Sequence, residues 1–365
     1  MQTVLHSYPA VLEGMPRIAA YDVVYTNWIR EIEGMIKFGN IGSSAFHPQI
    51  AGTPDERLYW NISVNILQKT VTYGAPHAKT LQTTTGQNWR AKSMNEYSKI
   101  WPEGKKCAVM LSVNLDAEFY GRIYYPGINV DEGDIMRLGK TGMEFGLPRL
   151  LDTLDNYGVK ATFFIPGAVA DRYPAQVMEI ARRGHEIGCH GDEHEILGAL
   201  SKEEQKKVLA RARKRLEEVS GKEVRGFRMP EGEINKATLE VLKELGFCYS
   251  SSLSDDDVPY VHKNIGLLEL PIHWELFDLP YFTFAFDPPI PPGQARSASM
   301  DQVLKNWEYE WEGTKRWGTL MNLQLDPQAI GEQGRIFMLE RLLENMQNCK
   351  EAWITTGGEI AEYLS

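Results

Sequence analysis

Positive charge is in short supply: 39 Lys and Arg stand against 49 Asp and Glu, a formal net charge of −10. Nucleic-acid arms and binders of anionic membranes work through a basic surface, so neither partner is expected. Long apolar runs are also missing, since none reaches the length that spans a bilayer. The first residues, MQTVLHSYPAVLEGMPR, show no basic stretch followed by an apolar core. A soluble, cytoplasmic protein is expected. Cys107, Cys189, Cys248 and Cys349 are far apart and form no CxxC pair, which fits buried thiols in a reducing compartment better than a disulfide frame or a zinc ribbon. What remains is 43% hydrophobic and 24% charged, a globular mixture for one large α/β domain or two smaller ones.

The chain echoes itself. At an offset of 279 residues, 22–52 aligns with 301–331 without a gap, and 11 of 31 pairs are identical, among them Trp28 with Trp307, Gly39 with Gly318 and Pro48 with Pro327. Chance would give about two. After an eight-residue shift Thr84-Thr85-Gly86 answers Thr355-Thr356-Gly357. Residues 1–100 therefore read as an N-terminal extension that partly duplicates the tail of a domain at 101–365. A duplicated tail offers a surface for exchange between chains, so a homo-oligomer is expected.

Within 101–365, strands and helices alternate. Residues 108–115 (AVMLSVNL) form an apolar run suited to a buried strand, followed by a helix at 150–157 and a second strand at 161–165. A helix at 174–183, a short strand at 186–189 and a capping box at Ser201 and Glu204 come next, the last opening a long charged helix that ends near Gly221. Strands near 226–228, 247–250 and 268–272 flank a helix at 236–245. Repeated β-then-α units imply a parallel sheet, barrel or doubly wound, with its ligand site at the strand C-terminal ends.

Chemistry-bearing residues gather at those ends. Asp116 leaves the first strand, and period-2 alternation leans Asn114, Asp116 and Glu118 the same way. His190-Gly-Asp-Glu-His194 follows another strand, and on a helical turn its imidazoles at i and i+4 would share one face. Together Asp116, His190 and His194 make a two-His-one-carboxylate set suited to one divalent metal, Zn ahead of Fe or Co. Asp192, Glu193 and Glu195 read by default as a solvated helix start, although one of them could support a ligating imidazole. Arg228-Met-Pro230-Glu-Gly follows a third strand, where the arginine either orients a carboxylate or binds an anionic substrate group. Trp274, Phe277, Tyr281 and Phe282 surround Asp278 and read first as core, second as an aromatic wall for substrate.

Taken together these stretches resemble the NodB-homology, or polysaccharide deacetylase, superfamily, which includes carbohydrate esterase family 4. VNLDAE (113–118), HGDEH (190–194) and RMPEG (228–232) look like its motifs, and 146–167, 251–260 and 269–282 look closest to a subgroup of Helicobacter-type peptidoglycan deacetylases, cyclic imide hydrolases and allantoinase-like enzymes. The resemblance implies an α/β fold, a distorted (β/α) barrel of about seven parallel strands. It also implies a metal on Asp116, His190 and His194, substrate contacts from Arg228, Pro230, Trp274 and Asp278, and hydrolysis of a carbon–nitrogen bond that is not a peptide bond.

Two positions depart from the family pattern. Asn114 stands where the family usually has its catalytic aspartate, and Asp326-Pro327 where it usually has a His-Pro whose imidazole protonates the leaving group. The offset of 279 places His47-Pro48 against Asp326-Pro327. His47 is thus a candidate acid from the duplicate, with Asp326 orienting it or standing as a relic. Asn114 is a candidate donor to the substrate carbonyl, and Glu118 a candidate replacement base. The first expectation is a hydrolase of a small cyclic imide, ureide or N-acyl compound. The alternatives are an amino-sugar N-deacetylase and a catalytically degenerate metal-binding or partner protein.

Overall fold

The computed structural model describes residues 4–6, 43–45, 97, 99–121, 134–230, 234–282 and 298–365. Two short strands, β1 (Val4–His6) and β2 (Ser43–Ala45), pair in parallel with each other. The main sheet has nine strands: β3 (Cys107–Asn114), β4 (Thr162–Ile165), β5 (Glu186–Cys189), β6 (Gly226–Phe227), β7 (Tyr249–Ser250), β8 (Tyr260–Val261), β9 (Leu268–Glu269), β10 (Leu320–Leu325) and β11 (Ala352–Thr355). They run in the order β10-β3-β4-β5-β6-β7-β9-β8, with β11 beside the first half of β3. Every pairing is parallel except that of β8 with β9.

The sheet curls until the chain beyond β9 meets β10. Phe277 bridges Gln324, the Asp278 N–H donates to the Gln324 carbonyl, and the Leu320 N–H donates to the Asp257 carbonyl. Side chains close the rest of the seam, since the Asn322 amide donates to the Pro271 carbonyl and the Gln324 amide to that of His273. The result is a distorted (β/α) barrel. Strands β6, β7 and β9 are shorter than the sequence pattern predicts, although Ser251 N–H to Phe227 and Leu270 N–H to Ser250 continue the ladder past their ends.

β3 is buried along its whole length, as a parallel strand covered on both faces must be. Val109, Leu111 and Val113 join the layer beneath the helices. Ala108 and Met110 face the barrel's interior with Trp101, Phe164, Tyr249 and Leu320. Further up β3 the inward series turns polar at Ser112 and Asn114, and on β10 it turns polar at Asn322 and Gln324. The lower half of the barrel is therefore an apolar plug and the upper half a polar floor.

The helices follow their local signals. Helix Lys202–Ser220 starts at the Ser201/Glu204 capping box and ends at Gly221 in the left-handed conformation, a cap contributing about 1 kcal/mol. Pro174 opens Pro174–Arg182, and Asn235 caps Lys236–Glu244. Helix Leu147–Asn156 begins three residues earlier than predicted, because it runs on from the π-turn Gly142–Gly146. No helix among the described residues is long and apolar enough to cross a membrane.

Of the N-terminal echo, only β2 is described. It falls on 322–324 of β10 at the 279-residue offset, and its parallel partner β1 stands to it as β3 stands to β10. His47 and the Thr84-Thr85-Gly86 match lie outside the described residues, as do Glu231 and Gly232.

Candidate active site

Strand register builds the site. β3 and β10 pair with Asn322 beside Met110, Gln324 beside Ser112 and Leu325 beside Val113. One step further, Asp326 lies level with Asn114, whose side chain acts to lower the Asp326 carboxyl. Two residues beyond Asn114 the chain reaches Asp116, after which Ala117 takes a positive φ of 48° and turns into the 3-10 segment Ala117–Gly121.

Asp116, His190 and His194 are all buried and present ligand atoms within 4.8 Å of one another. His190 Nε2 lies 3.5 Å from Asp116 Oδ1, and His194 Nε2 lies 3.3 Å from Oδ2. Tetrahedral zinc with bonds of about 2.0–2.1 Å needs ligand atoms about 3.3 Å apart, so the spacing fits. His190 Nδ1 is 2.8 Å from the Arg228 carbonyl, which only accepts, so the proton sits on Nδ1. Burial pushes this imidazole down to about 4, so near neutrality Nε2 carries a lone pair facing a carboxylate oxygen. Asp116 Oδ1 is buried with no hydrogen-bond partner. Burial acts to raise Asp116, but the His194 and His190 imidazoles and the Arg228 charge outweigh it and hold the carboxyl below its ordinary value. Two lone-pair donors aimed at each other in a dry site call for a cation between them. The donor set fits a divalent metal of the zinc type.

The histidine loop departs from the predicted helical turn. Residues 190–194 form a bend in which Gly191 has φ 74° and His194 φ 61°, and the two imidazoles meet edge to face at 5.2 Å. Asp192 is buried in ion pairs with Arg211 and Arg215 rather than solvated. Glu195 caps the bend by accepting the N–H groups of Asp192 and Glu193.

Arg228 fills the polar floor. It stacks 4.3 Å above the Phe164 ring and donates to Ser112, Asn114, Ser251 and Asn322. No carboxylate bonds it directly, and burial pushes it down to about 9. The position predicted to touch substrate is instead 2% exposed, and its nearest service is to hold the Asn114 carbonyl oxygen at 3.1 Å. That bond fixes the orientation of the Asn114 amide. Pro230 packs against Gly191, bracing the histidine loop.

Asp278 is also corrected. It is fully buried, and its carboxylate accepts the backbone N–H groups of Asp326, at 2.9 Å, and Ile330, at 3.0 Å. It therefore shapes the Asp326 loop. Tyr281 and Phe282 are core, whereas Trp274 is 63% exposed on the rim, four residues before Asp278. Asp326 itself is fully buried. Gln328 donates to its Oδ1, and Oδ2 has no partner. Burial and then the charges of Asp278 and Asp116 push this carboxyl well above the usual carboxylate range. Burial pushes Asp278 up to about 8 against its backbone donors. Of the two, Asp326 takes the proton, because Asp278 has N–H donors for its charge. Glu118 lies beside the floor, accepting Tyr173 OH at 2.6 Å and paired with Arg172 at 3.1 Å.

Sequence reasoning missed Ser112, Ser251 and Asn322, which position Arg228, and Arg211 and Arg215, which hold the histidine loop. A polar residue at an inward position of an apolar strand was the available signal for Asn322. Two arginines four apart in the helix after HGDEH were the signal for the other pair.

Residues 128–250 match the family model for polysaccharide deacetylase. A peptidoglycan deacetylase of Helicobacter pylori is 25% identical over 284 residues, covering 71% of this chain and 96% of that protein. An allantoinase crystal structure shares the fold, with 18% identity, a TM-score of 0.64 and coverage of 79% of this chain and 97% of that one. The crystal structure of a candidate polysaccharide deacetylase from Mycobacterium smegmatis is similar with a TM-score of 0.68 and 34% identity, covering 72% of this chain and 92% of that one. With that identity over nearly the whole of a relative, and with the family's barrel in place, this chain belongs to the polysaccharide deacetylase family of hydrolases that act on carbon–nitrogen bonds other than peptide bonds.

Proposed function

We propose that the chain removes the acyl group from an N-acylated amino sugar of a polysaccharide, with one zinc ion on Asp116, His190 and His194 and with Asp326 as the proton carrier. This reverses the order expected from sequence. The small cyclic imide or ureide gains no support from the relatives that share sequence with this chain, whereas a relative matched over 96% of its own length is named for peptidoglycan deacetylation. The carrying observation is the register of β3 and β10, which sets the candidate ligand Asp116 and the buried carboxyl of Asp326 at neighbouring strand ends.

When bound, the metal polarises the scissile carbonyl and lowers the pKa of a coordinated water toward neutrality. The chain's residues do the rest. Asp326, with Oδ1 engaged by Gln328 and the buried Oδ2 left without a hydrogen-bond partner, holds its proton on Oδ2 and gives it to the departing amine nitrogen. Asn114 carries no proton-accepting group; its amide is held by Arg228 and acts to lower the neighbouring Asp326 carboxyl. Asp278 fixes the backbone from which Asp326 projects. Exposed Trp274 offers a flat apolar face on which a sugar ring can stack.

The test is to incubate zinc-loaded protein with N-acetylglucosamine oligomers, peptidoglycan fragments and a cyclic imide in parallel, reading acetate, free amine and ring opening. Amine and acetate in equal amounts from the sugars, lost in Asp116→Ala, is the expected outcome. Turnover of the imide alone would return the small-substrate reading, and turnover of none would favour a catalytically degenerate protein.

A further inference from the structure

The metal-binding histidines sit on a loop that would not hold its shape unaided. Within four residues it places Gly191 at φ 74° and His194 at φ 61°. For a residue with a side chain, the left-handed region is unfavourable and persists only where the surroundings enforce it. His194 must stay there for its Nε2 to face Asp116.

What enforces it lies on the far side of the loop. The Gly167 and Ala168 N–H groups donate to the carbonyls of Gly191 and Asp192. The Asp192 carboxylate, midway between the histidines and buried, is gripped from helix Lys202–Ser220 by Arg211 at 2.5 Å on Oδ2 and by Arg215 at 3.2 Å on Oδ1. A spacing of four puts both guanidiniums on one helix face. Arg215 also pairs at 3.3 Å with Asp171 of helix Gly167–Arg172, so loop and two helices are stapled together. Gly167 has no side chain because the Asp192 oxygen occupies the place a Cβ would take. None of these groups reaches the metal-facing atoms of the site.

We infer that Asp192, clamped by Arg211 and Arg215, is a positioning residue that presets His194 for metal, so that zinc affinity is governed from the outer face of the barrel. The inference rests on the metal-site reading above. Without the clamp, His194 relaxes toward ordinary backbone angles, and binding must then pay to recover the left-handed geometry.

The experiment measures zinc affinity of the full chain by competition with a chromophoric chelator, together with the visible spectrum of the cobalt(II)-loaded form and the unfolding midpoint of the metal-free form. Failure of wild type to bind zinc or cobalt would overturn the metal-site reading itself. With wild type binding, Asp192→Asn is expected to weaken zinc at least tenfold and to shift the cobalt spectrum toward that of His194→Ala, while Arg215→Lys, which keeps the charge, retains more affinity than Arg215→Gln. Wild-type affinity and spectrum in Asp192→Asn would overturn the inference. If Asp192→Asn also unfolds more readily, Arg211→Gln decides, because that side chain is half exposed and grips the carboxylate from the surface. Weaker zinc in Arg211→Gln at an unchanged midpoint upholds the clamp, and unchanged zinc overturns it.

Discussion

Asp116, His190 and His194 on one side of the barrel floor, and Asn114, Arg228 and Asp326 on the other, are both buried and both lie at strand ends. They differ in what their residue types promise. A carboxylate and two imidazoles are metal ligands almost wherever burial brings them together, and here their spacing already suits one cation. An asparagine, an arginine and an aspartate promise no single chemistry. Their roles come from what surrounds them: Arg228 fixes the asparagine amide, the amide meets Asp326, and Asp278 with burial keeps Asp326 protonated. A ligand set is specified by residue identity, whereas what Asn114, Arg228 and Asp326 can do depends on their surroundings.

The comparison can be broken from the ligand side first. Asp116→Ala should abolish zinc binding and lower kcat/KM by about a thousandfold, since metal polarisation is worth several kcal/mol and each 1.36 kcal/mol is tenfold; metal analysis beside initial rates checks it. Asn114→Asp places a second carboxylate against Asp326 and removes the amide donor. We expect a loss of up to about tenfold in kcat with zinc content intact, from a neutral amide–carboxyl contact worth about 0.5–1.5 kcal/mol, and partial recovery in Asn114→Asp/Asp326→His, where an imidazole again faces a carboxylate. Trp274→Ala should raise KM about fivefold with kcat nearly unchanged, one stacked ring contributing about 1 kcal/mol.

A smaller effect concerns stability. Because the folded Asp326 carboxyl is raised above its unfolded value, the native state binds more protons than the unfolded one, and stability from this group falls as pH rises past the unfolded value. His190 acts oppositely: held near 4 when folded, it costs stability as pH falls below its unfolded value. Asp326→Asn in metal-free protein should therefore gain on wild type in unfolding midpoint between pH 5 and pH 8, with the gap widening as pH rises. A constant gap would mean that Asp326 is ionised throughout.

Much of this fold was legible because its signals are local. The run at 108–115, the Ser201/Glu204 box and Gly221 each dictate their own element. Asp116, His190 and His194 were legible for the same reason. The register of β3 against β10 was not, because nothing in either strand's own pattern states which residue of the other it will face, and the contact of Asn114 with Asp326 follows from that pairing alone. Asp278 was misread because its partners are backbone N–H groups, which leave no mark in sequence. Asp192 was misread because its burial depends on arginines 19 and 23 residues away.

The most direct test of Asp326 as proton carrier is kcat for acetate release from an N-acetylglucosamine oligomer by zinc-loaded Asp326→Asn beside wild type. General acid catalysis contributes about 10²–10⁴-fold, so we predict at least a hundredfold loss at unchanged zinc content. A wild-type rate in the variant would contradict the account and move the proton to another group.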